Sequence, residues 1–191
     1  NKFDSYKKIS LFRKIESTFI ARRVNDAFVA SNRIITNSNF MKKAIMEEFD
    51  IDKKCTVIFP EVDLKRKNPR FKSMQIAGFI NRGIKKGSQI IIHLAQINPS
   101  IKFLIFGDQL DVSFSNIINM GYLADRSIIF DQIDVLLVPS LWYEPYGRVA
   151  SEAIWSGIPA LVSKIGGLIE AAPNSDFWVE DFTSISNWDT F

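Results

Sequence analysis

Short apolar runs that alternate with helical segments constrain the fold of this chain more than any other feature. The runs are rich in Ile, Leu, Val and Phe, and they predict strands over residues 74–79, 101–107, 119–123, 134–139 and 158–163. Between them, the sequence predicts helices over residues 88–97, 125–133 and 148–156. Strands that are apolar on both faces are typical of parallel sheets that helices cover on both sides. The sequence therefore predicts an α/β fold with a parallel sheet and helices on both faces.

The first third of the chain predicts a smaller unit of the same kind. Helices are predicted over residues 10–27 and 40–49, and strands over residues 34–38 and 56–59. Asn37, Ser38 and Asn39 are alternative caps for the second helix, because short polar side chains accept hydrogen bonds from the free amides of a first turn. Residues 65–73 are charged and lack apolar periodicity, which is typical of a linker. We therefore predict two parts, residues 1–64 and residues 74–191.

Composition limits the classes of function. Of the 191 residues, 47% are hydrophobic, which is enough for a packed core. The net charge of +3 is too small to indicate nucleic acid, and we expect no nucleic-acid partner. Cys55 and His93 are the only residues of their types, so a Cys/His zinc site within this chain is excluded and a reducing, cytoplasmic location is favoured. His93 is interpreted as a packed or partly exposed helix residue.

Two carboxylates eight positions apart, Glu144 and Glu152, bracket a Pro/Gly turn just after the apolar run 134–139. The helix that follows places both near its positive end, which stabilises anions by about 0.3–1 kcal/mol. The two oxygens of a carboxylate match the two O–H donors of a vicinal diol. Because ligands of open parallel sheets bind at the carboxyl ends of the strands, the pair predicts a site for a polyhydroxylated, phosphorylated ligand. Taken alone, such a pair more often only stabilises a helix N-terminus.

Further motif residues surround this pair. They are the stretch 144–152, which reads Glu-Pro-Tyr-Gly-Arg-Val-Ala-Ser-Glu, then Gly157-Ile-Pro159, Ser163, Gly166-Gly167 and Glu170. Together they resemble the donor-binding half of the family 4 (group 1) retaining glycosyltransferases, over about residues 74–180. The resemblance implies the GT-B fold of two facing Rossmann-like domains. Residues 1–64 are then a remnant of the N-terminal acceptor-side domain, and residues 74–191 are a donor domain truncated at its C-terminus.

The resemblance also implies roles for individual residues. Glu144 is expected to accept hydrogen bonds from the donor sugar and Glu152 from the ribose. Glu144, Lys86 and Arg82 are the predicted catalytic residues, the two cations acting on the diphosphate. Gly107 and Leu123 match strand ends that border the nucleobase in the family. The remaining predicted binding residues are Tyr146, Gly147, Arg148, Val149, Gly166 and Gly167. The implied substrate is a nucleotide sugar such as a UDP- or GDP-sugar, transferred with retention and without a cofactor or metal ion.

One position departs from the family pattern. Family members usually carry Arg directly after the glycine of this domain's first strand, where this chain has Gly78-Phe79. Lys86 matches the usual Lys position, and Arg82 is the predicted replacement for the missing Arg. Cations at this place stabilise the charge that builds up on a leaving nucleotide diphosphate.

Several alternatives accompany this interpretation. The chain is shorter than a whole enzyme of this type, so we expect it to bind the donor but to be inactive alone, without the missing N-terminal domain or a partner chain. A non-catalytic, glycosyltransferase-like binding module is the alternative function. Exposed aromatic residues are expected to face the missing portion, namely Trp142, Tyr143 and Trp178.

Two further patterns have competing interpretations. The basic residues near the start fit either the charged outer face of a domain helix or a peripheral contact with an anionic membrane; they are Lys7, Lys8, Arg13, Lys14, Arg22 and Arg23. Asp50-Ile-Asp52 has the spacing that metal-dependent glycosyltransferases of another fold use. Because it lies beside Lys53-Lys54 and away from the glycine loops, it is interpreted as a solvated turn.

Overall fold

The computed structural model describes residues 23, 26–49, 55–64 and 75–189. Most of the predicted helix over residues 10–27 lies outside these described residues, as do the Asp50-Ile-Asp52 turn and the predicted linker 65–73. Across the described ranges, no helix is both long enough and apolar enough to span a membrane.

A small unit precedes the main sheet. Two short parallel strands, β1 (Ile34–Thr36) and β2 (Cys55–Val57), flank helix α1 (Asn39–Phe49). We call these three elements the N-side unit. The Ser38 hydroxyl accepts a hydrogen bond from the Met41 amide at 3.0 Å, so Ser38 is the cap among the three predicted candidates.

The main sheet has six parallel strands. In chain order they are β3 (Ile76–Asn81), β4 (Lys102–Gly107), β5 (Ile117–Gly121), β6 (Val135–Val138), β7 (Ala160–Ser163) and β8 (Trp178–Val179). Their order across the sheet is β5-β4-β3-β6-β7-β8. The connections contain helices α2 (Ser88–Ile97), α3 (Arg126–Gln132), α4 (Arg148–Trp155) and α5 (Leu168–Ala171), with 3₁₀ turns at Ile84–Lys86, Ser175–Phe177 and Ile185–Trp188.

Helices cover both faces of this sheet, as the apolar runs predicted. Successive residues of a strand point to opposite faces, so Phe103 of β4 packs with Ile91 of α2, whereas Leu104 packs with Phe130 of α3. α4 and α5 join α3 on the second face. Burial of both faces explains why β4, β6 and β7 are apolar without alternation, whereas the edge strand β5 keeps exposed residues.

The structure moves several predicted boundaries by about two residues; β1 ends at Thr36, and β3 and β7 begin at Ile76 and Ala160. β3 continues two residues beyond the predicted end at Phe79. β5 begins at Ile117, two residues before its predicted start, and tolerates polar Asn119 because that side chain bonds the main chain of Leu110 at 2.9 and 3.1 Å. β2 ends at Val57 rather than at residue 59.

Candidate functional site

The strand order of the main sheet reverses at β3. The chain runs from β3 out to β4 and β5, and then returns to place β6 on the other side of β3. Ligands of open α/β sheets bind at the carboxyl ends of the strands at such a point. A cavity of about 300 Å³ lies there, and we call it the main cavity. Most of the predicted site residues line it: Arg82, Lys86, Glu144, Tyr146, Gly147, Arg148 and Val149.

Glu144 lies in the loop after β6 and is only 6% exposed. Its Oε1 accepts hydrogen bonds from the Lys86 ammonium and, at 2.9 Å, from the Ser140 hydroxyl. Its main-chain oxygen accepts the Gly167 amide at 2.7 Å. The Lys86 ammonium also lies 5.4 Å from the centroid of the Trp142 ring. A buried carboxylate with a cation and a hydroxyl beside it is thus held at the wall of the cavity.

The loops that carry Lys86 and Glu144 are joined through their main chains. The Leu141 amide donates to the Lys85 carbonyl at 2.9 Å. Gly87 has φ +85°, and a Cβ on it would lie 2.0 Å from the Pro139 carbonyl oxygen. Only glycine fits this position, because both the backbone conformation and the space exclude a side chain. The separation of the two loops, on which the cation and the carboxylate stand, is therefore fixed by the backbone.

Glu152 is 3% exposed and is the fifth residue of α4, which begins at Arg148 as predicted. Its Oε2 accepts a hydrogen bond from Arg126 Nη1 at 2.6 Å, and its Oε1 lies 3.3 Å from Arg148 Nη2. α4 begins after Gly147, which has φ +99°. Both oxygens of the carboxylate already face guanidinium groups of the chain itself, and Glu152 is not among the residues that line the main cavity.

Arg82 is the first residue after β3, and it lies between two cavities. Its guanidinium carbon is 5.5 Å from the centroid of the exposed Tyr122 ring. It lines the main cavity and also a smaller one of about 30 Å³, which contains the predicted binding residues Gly107 and Leu123. We call the second the side cavity. Phe79, at the position where the family usually has Arg, is 2% exposed and packs in the core beneath α2.

Gly166 and Gly167 lie behind the Glu144 loop and line neither cavity. A Cβ on Gly166 would lie 2.6 Å from the Glu144 carbonyl oxygen, and a Cβ on Gly167 would lie 2.3 Å from the Pro145 carbonyl oxygen. The two glycines therefore permit close backbone contact with the loop. Nothing in their placement indicates a contact with a ligand.

Tyr146 is buried beside the same loop. Burial raises the pKa of the Tyr146 phenol above its ordinary value of about 10; the hydrogen bond with Ser151 opposes this effect and the charge of Glu170 adds to it. Its ring lies 5.7 Å from that of Phe59, between the centroids. Tyr146 thus packs the loop against residues that precede the main sheet.

The N-side unit is held against the Glu144 loop through polar contacts. The Glu170 carboxylate accepts hydrogen bonds from the Asn39 amide at 2.8 Å, the Asn39 side chain at 2.8 Å and the Phe40 amide at 2.7 Å. The Ser38 hydroxyl donates to the Pro145 carbonyl at 2.5 Å. The N-terminus of α1 is thereby joined to the Glu144 loop through Pro145 and to α5 through Glu170.

The predicted exposed aromatics divide into two groups. Trp142 and Tyr143 are exposed, and the Tyr143 ring stacks on Phe40 of the N-side unit, with 5.8 Å between the centroids. Trp178 does not fit the prediction, because it is half-buried on the core and its Nε1 donates to the Ala172 carbonyl at 2.6 Å.

Sequence reasoning missed three residues of the site. Asn37 of the N-side unit and Arg126 line the main cavity, and Ser140 bonds Glu144. Ser140 directly follows the apolar run 134–139, so its place at the carboxyl end of a strand can be read from the sequence. Arg126 is 26 positions ahead of its partner Glu152, and no spacing rule joins the two. His93 is half-buried on α2, as predicted.

In the part of the chain that the structure describes, no three His, Cys, Asp or Glu side chains are grouped so that they could hold a metal ion. The lack of a metal requirement stays a prediction of the sequence.

Comparison with known proteins places this site in a family. Residues 61–186 match the family model of the glycosyl transferases group 1. The chain belongs to this family. The GT-B resemblance at the level of the fold is confirmed as well, since similar solved structures share the parallel, Rossmann-like sheet with its helices.

Relatives of this group 1 chain come from several organisms. An uncharacterized 42.6 kDa protein in the cps region of Klebsiella pneumoniae is 32% identical over 123 residues, which are 58% of this chain and 32% of that protein. The uncharacterized glycosyltransferase MJ1607 of Methanocaldococcus jannaschii is 48% identical over 56 residues, 28% of this chain and 14% of the relative. The crystal structure of Anabaena Alr3699/HepE in complex with UDP and glucose matches 73% of this chain and 46% of HepE, with a TM-score of 0.62 and 23% identity. The chain thus spans less than half the length of each.

Proposed function

We propose that this chain binds a nucleotide diphosphate sugar and that the complete protein transfers the glycosyl group with retention, as a hexosyltransferase. The observation that carries the proposal is the main cavity at the reversal point of the sheet. There, the buried carboxylate of Glu144 stands between the Lys86 ammonium and the start of α4. That combination offers an acceptor for sugar hydroxyls beside cations for phosphates.

The chemistry of glycosyl transfer fits this arrangement. When the bond between sugar and diphosphate breaks, negative charge grows on the leaving nucleotide. Lys86 and Arg82 are fixed at the carboxyl end of β3, where they stabilise that charge more in the transition state than in the ground state. Glu144 accepts from the sugar hydroxyls and keeps the anomeric carbon near the cations. HepE, which has a similar fold, was crystallised with UDP and glucose, and this supports a UDP-sugar as the first donor to test.

Binding of the donor is the property to measure first, because the chain spans less than half of the relatives that it matches. Isothermal titration with UDP-, GDP- and ADP-glucose is expected to give binding for at least one of them. Glu144→Gln is expected to weaken the nucleotide sugar by about 10- to 100-fold, since it removes the charge from an acceptor of hydroxyl hydrogen bonds. The same substitution leaves the affinity for the free nucleotide diphosphate nearly unchanged, because Glu144 is assigned to the sugar.

A suitable control is Glu180→Gln. Glu180 pairs with Lys164 at 2.5 Å on the surface and lines neither cavity. It is expected to bind every ligand as the wild type does. If no nucleotide sugar binds the folded wild type, the donor-site proposal is wrong, and the non-catalytic module becomes the better description.

A further inference from the structure

We propose that Arg126 binds the diphosphate of the donor, and that Glu152 holds Arg126 in position for this task. The inference rests on the proposed function and deepens it, because it adds a third phosphate-binding cation to Lys86 and Arg82. It also assigns to Glu152 a positioning role within this chain.

The first observation is the place of Arg126 between the two cavities. The main cavity and the side cavity share three lining residues, namely Ile80, Arg82 and Arg126. Two of the three are arginines. In a nucleotide sugar the diphosphate joins the sugar to the nucleoside. If the sugar lies by Glu144 and the base by Leu123, the diphosphate has to cross the boundary that these arginines form.

The second observation concerns the hydrogen bonding and exposure of the Arg126 guanidinium. Arg126 opens α3, directly after Asp125, whose carboxylate caps that helix through the Ser127 amide at 2.9 Å. Only Nη1 of Arg126 has a hydrogen bond among the described residues, to Glu152 at 2.6 Å. A guanidinium has five N–H donors in a fixed plane, so it can keep its bond to Glu152 and offer the others to a phosphate. Its side chain is 41% exposed, whereas that of Glu152 is 5% exposed, so the open side of the pair is the arginine.

The third observation is the charge of the site. Among the described residues, the main cavity and Glu152 behind it combine four cations with two carboxylates; the cations are Arg82, Lys86, Arg126 and Arg148. The excess of two positive charges matches the two negative charges of a diphosphate that is esterified at both ends. The four cations repel one another, and the Glu152 carboxylate offsets part of that repulsion in the free protein. It also orients the Arg126 guanidinium before the ligand arrives, and such preorganisation favours tight binding of an anion.

The experiment compares uridine, UMP, UDP and UDP-glucose as ligands by calorimetry. Arg126→Gln is expected to weaken UDP and UDP-glucose by about 10- to 100-fold, as the loss of a charged hydrogen bond predicts, and to leave uridine within about twofold. Lys164→Gln is the matched control. It removes one positive charge from a side chain of similar exposure, 38%, that lines neither cavity. Its UDP affinity is expected to equal that of the wild type.

Arg126→Gln leaves the buried Glu152 with a weaker set of partners and so risks unfolding. The double variant Arg126→Gln/Glu152→Gln removes both charges together, and its urea midpoint and circular dichroism establish that it is folded. Compared with Glu152→Gln alone, which also reports any contact of Glu152 with the ribose, it is expected to weaken UDP further while uridine stays unchanged. Glu152→Gln alone is expected to weaken UDP less than Arg126→Gln does, since the guanidinium stays near the boundary without its anchor.

The outcomes separate this inference from the proposed function. If the wild type binds UDP and the folded variants bind it equally well, the role of Arg126 is wrong while the donor site stands. If uridine is weakened as much as UDP, Arg126 acts on the nucleoside or on the fold, and the inference is also wrong. If the wild type binds none of the four ligands nor any other nucleotide sugar, the proposed function itself fails.

Discussion

The hydrogen bonds between Glu170 and the start of α1 give a prediction that is local enough to be decisive. Replacing Glu170 by Ala removes the acceptor of the Asn39 and Phe40 amides, which have no intrahelical partner at this end of the helix. An alanine at a capping position costs about 0.5–2 kcal/mol, and the loss of an anion beside a helix N-terminus costs about 0.3–1 kcal/mol. We expect a total of about 2 kcal/mol, since water replaces part of the bonding at the exposed Asn39 and the Ser38 cap stays in place.

Amide hydrogen exchange measured by NMR is the appropriate assay, because it reports each of the two amides separately. A loss of about 2 kcal/mol corresponds to exchange about 30-fold faster at Asn39 and Phe40 in Glu170→Ala. Glu170→Gln keeps one acceptor oxygen without the charge, and we expect it to give an intermediate rate. The Ser127 amide, which Asp125 caps at the start of α3, serves as the internal control and is expected to be unchanged.

Two results would refute this reasoning. Equal exchange of Asn39 and Phe40 in the wild type and in Glu170→Ala means that Glu170 does not cap α1. Faster exchange at Ser127 as well means that the substitution loosens the whole chain, and the effect is then not one of capping.

Three further predictions concern the Glu144 loop. Gly167→Ala places a Cβ 2.3 Å from the Pro145 oxygen at an ordinary φ of −79°, so we expect a steric cost of about 1–3 kcal/mol in urea unfolding and weaker nucleotide-sugar binding. The pKa of the Tyr146 phenol is raised in the folded state, so its contribution to folding stability is fully present below the unfolded pKa near 10 and is lost as the pH rises through the folded pKa. Tyr146→Phe is expected to remove this part of the decline in the urea midpoint above pH 10. Lys86→Met leaves the buried Glu144 carboxylate with the Ser140 hydroxyl as its partner, and we expect it to lower the free energy of unfolding in urea by about 2 kcal/mol. Breaking a fully buried ion pair costs about 3–5 kcal/mol, and the cost here is smaller because the Lys86 side chain is 30% exposed.

The apolar pattern of the sequence predicts most of the fold. Where a predicted element differs from the structure, the cause is local. The helix over residues 88–97 forms where it is predicted, because its four buried apolar side chains face one side of the sheet and Gly87 stops the preceding turn. β5 begins two residues before its predicted start because Ile117 and Ile118 pair with β4, and the sequence does not show that pairing. β8 is two residues long and exists through its pairing with β7.

The residues of the candidate site are likewise predicted only in part. Glu144 and Lys86 are predicted from motifs that resemble a family, and the structure places both side chains on the main cavity, after β6 and β3 respectively. Arg126 was not found, because its contact with Glu152 arises from the packing of α3 beside α4 on one face of the sheet. Contacts between elements that are distant in sequence require the assembled fold.

The junction of the Lys86 and Glu144 loops has a consequence for redesign. Since Gly87 fits against Pro139 and Leu141 bonds Lys85, an inserted residue on one loop displaces the other as well. On the wall of the side cavity, the Tyr122 side chain is exposed instead, whereas neighbouring Gly121 has φ +72°, which favours glycine although a Cβ there would meet no atom within 4 Å. We therefore expect variation to be tolerated at Tyr122 and rejected at Gly121 and at the two joined loops. Libraries that vary the walls of the two cavities therefore have their freedom at Tyr122, while the joined loops admit only point replacements.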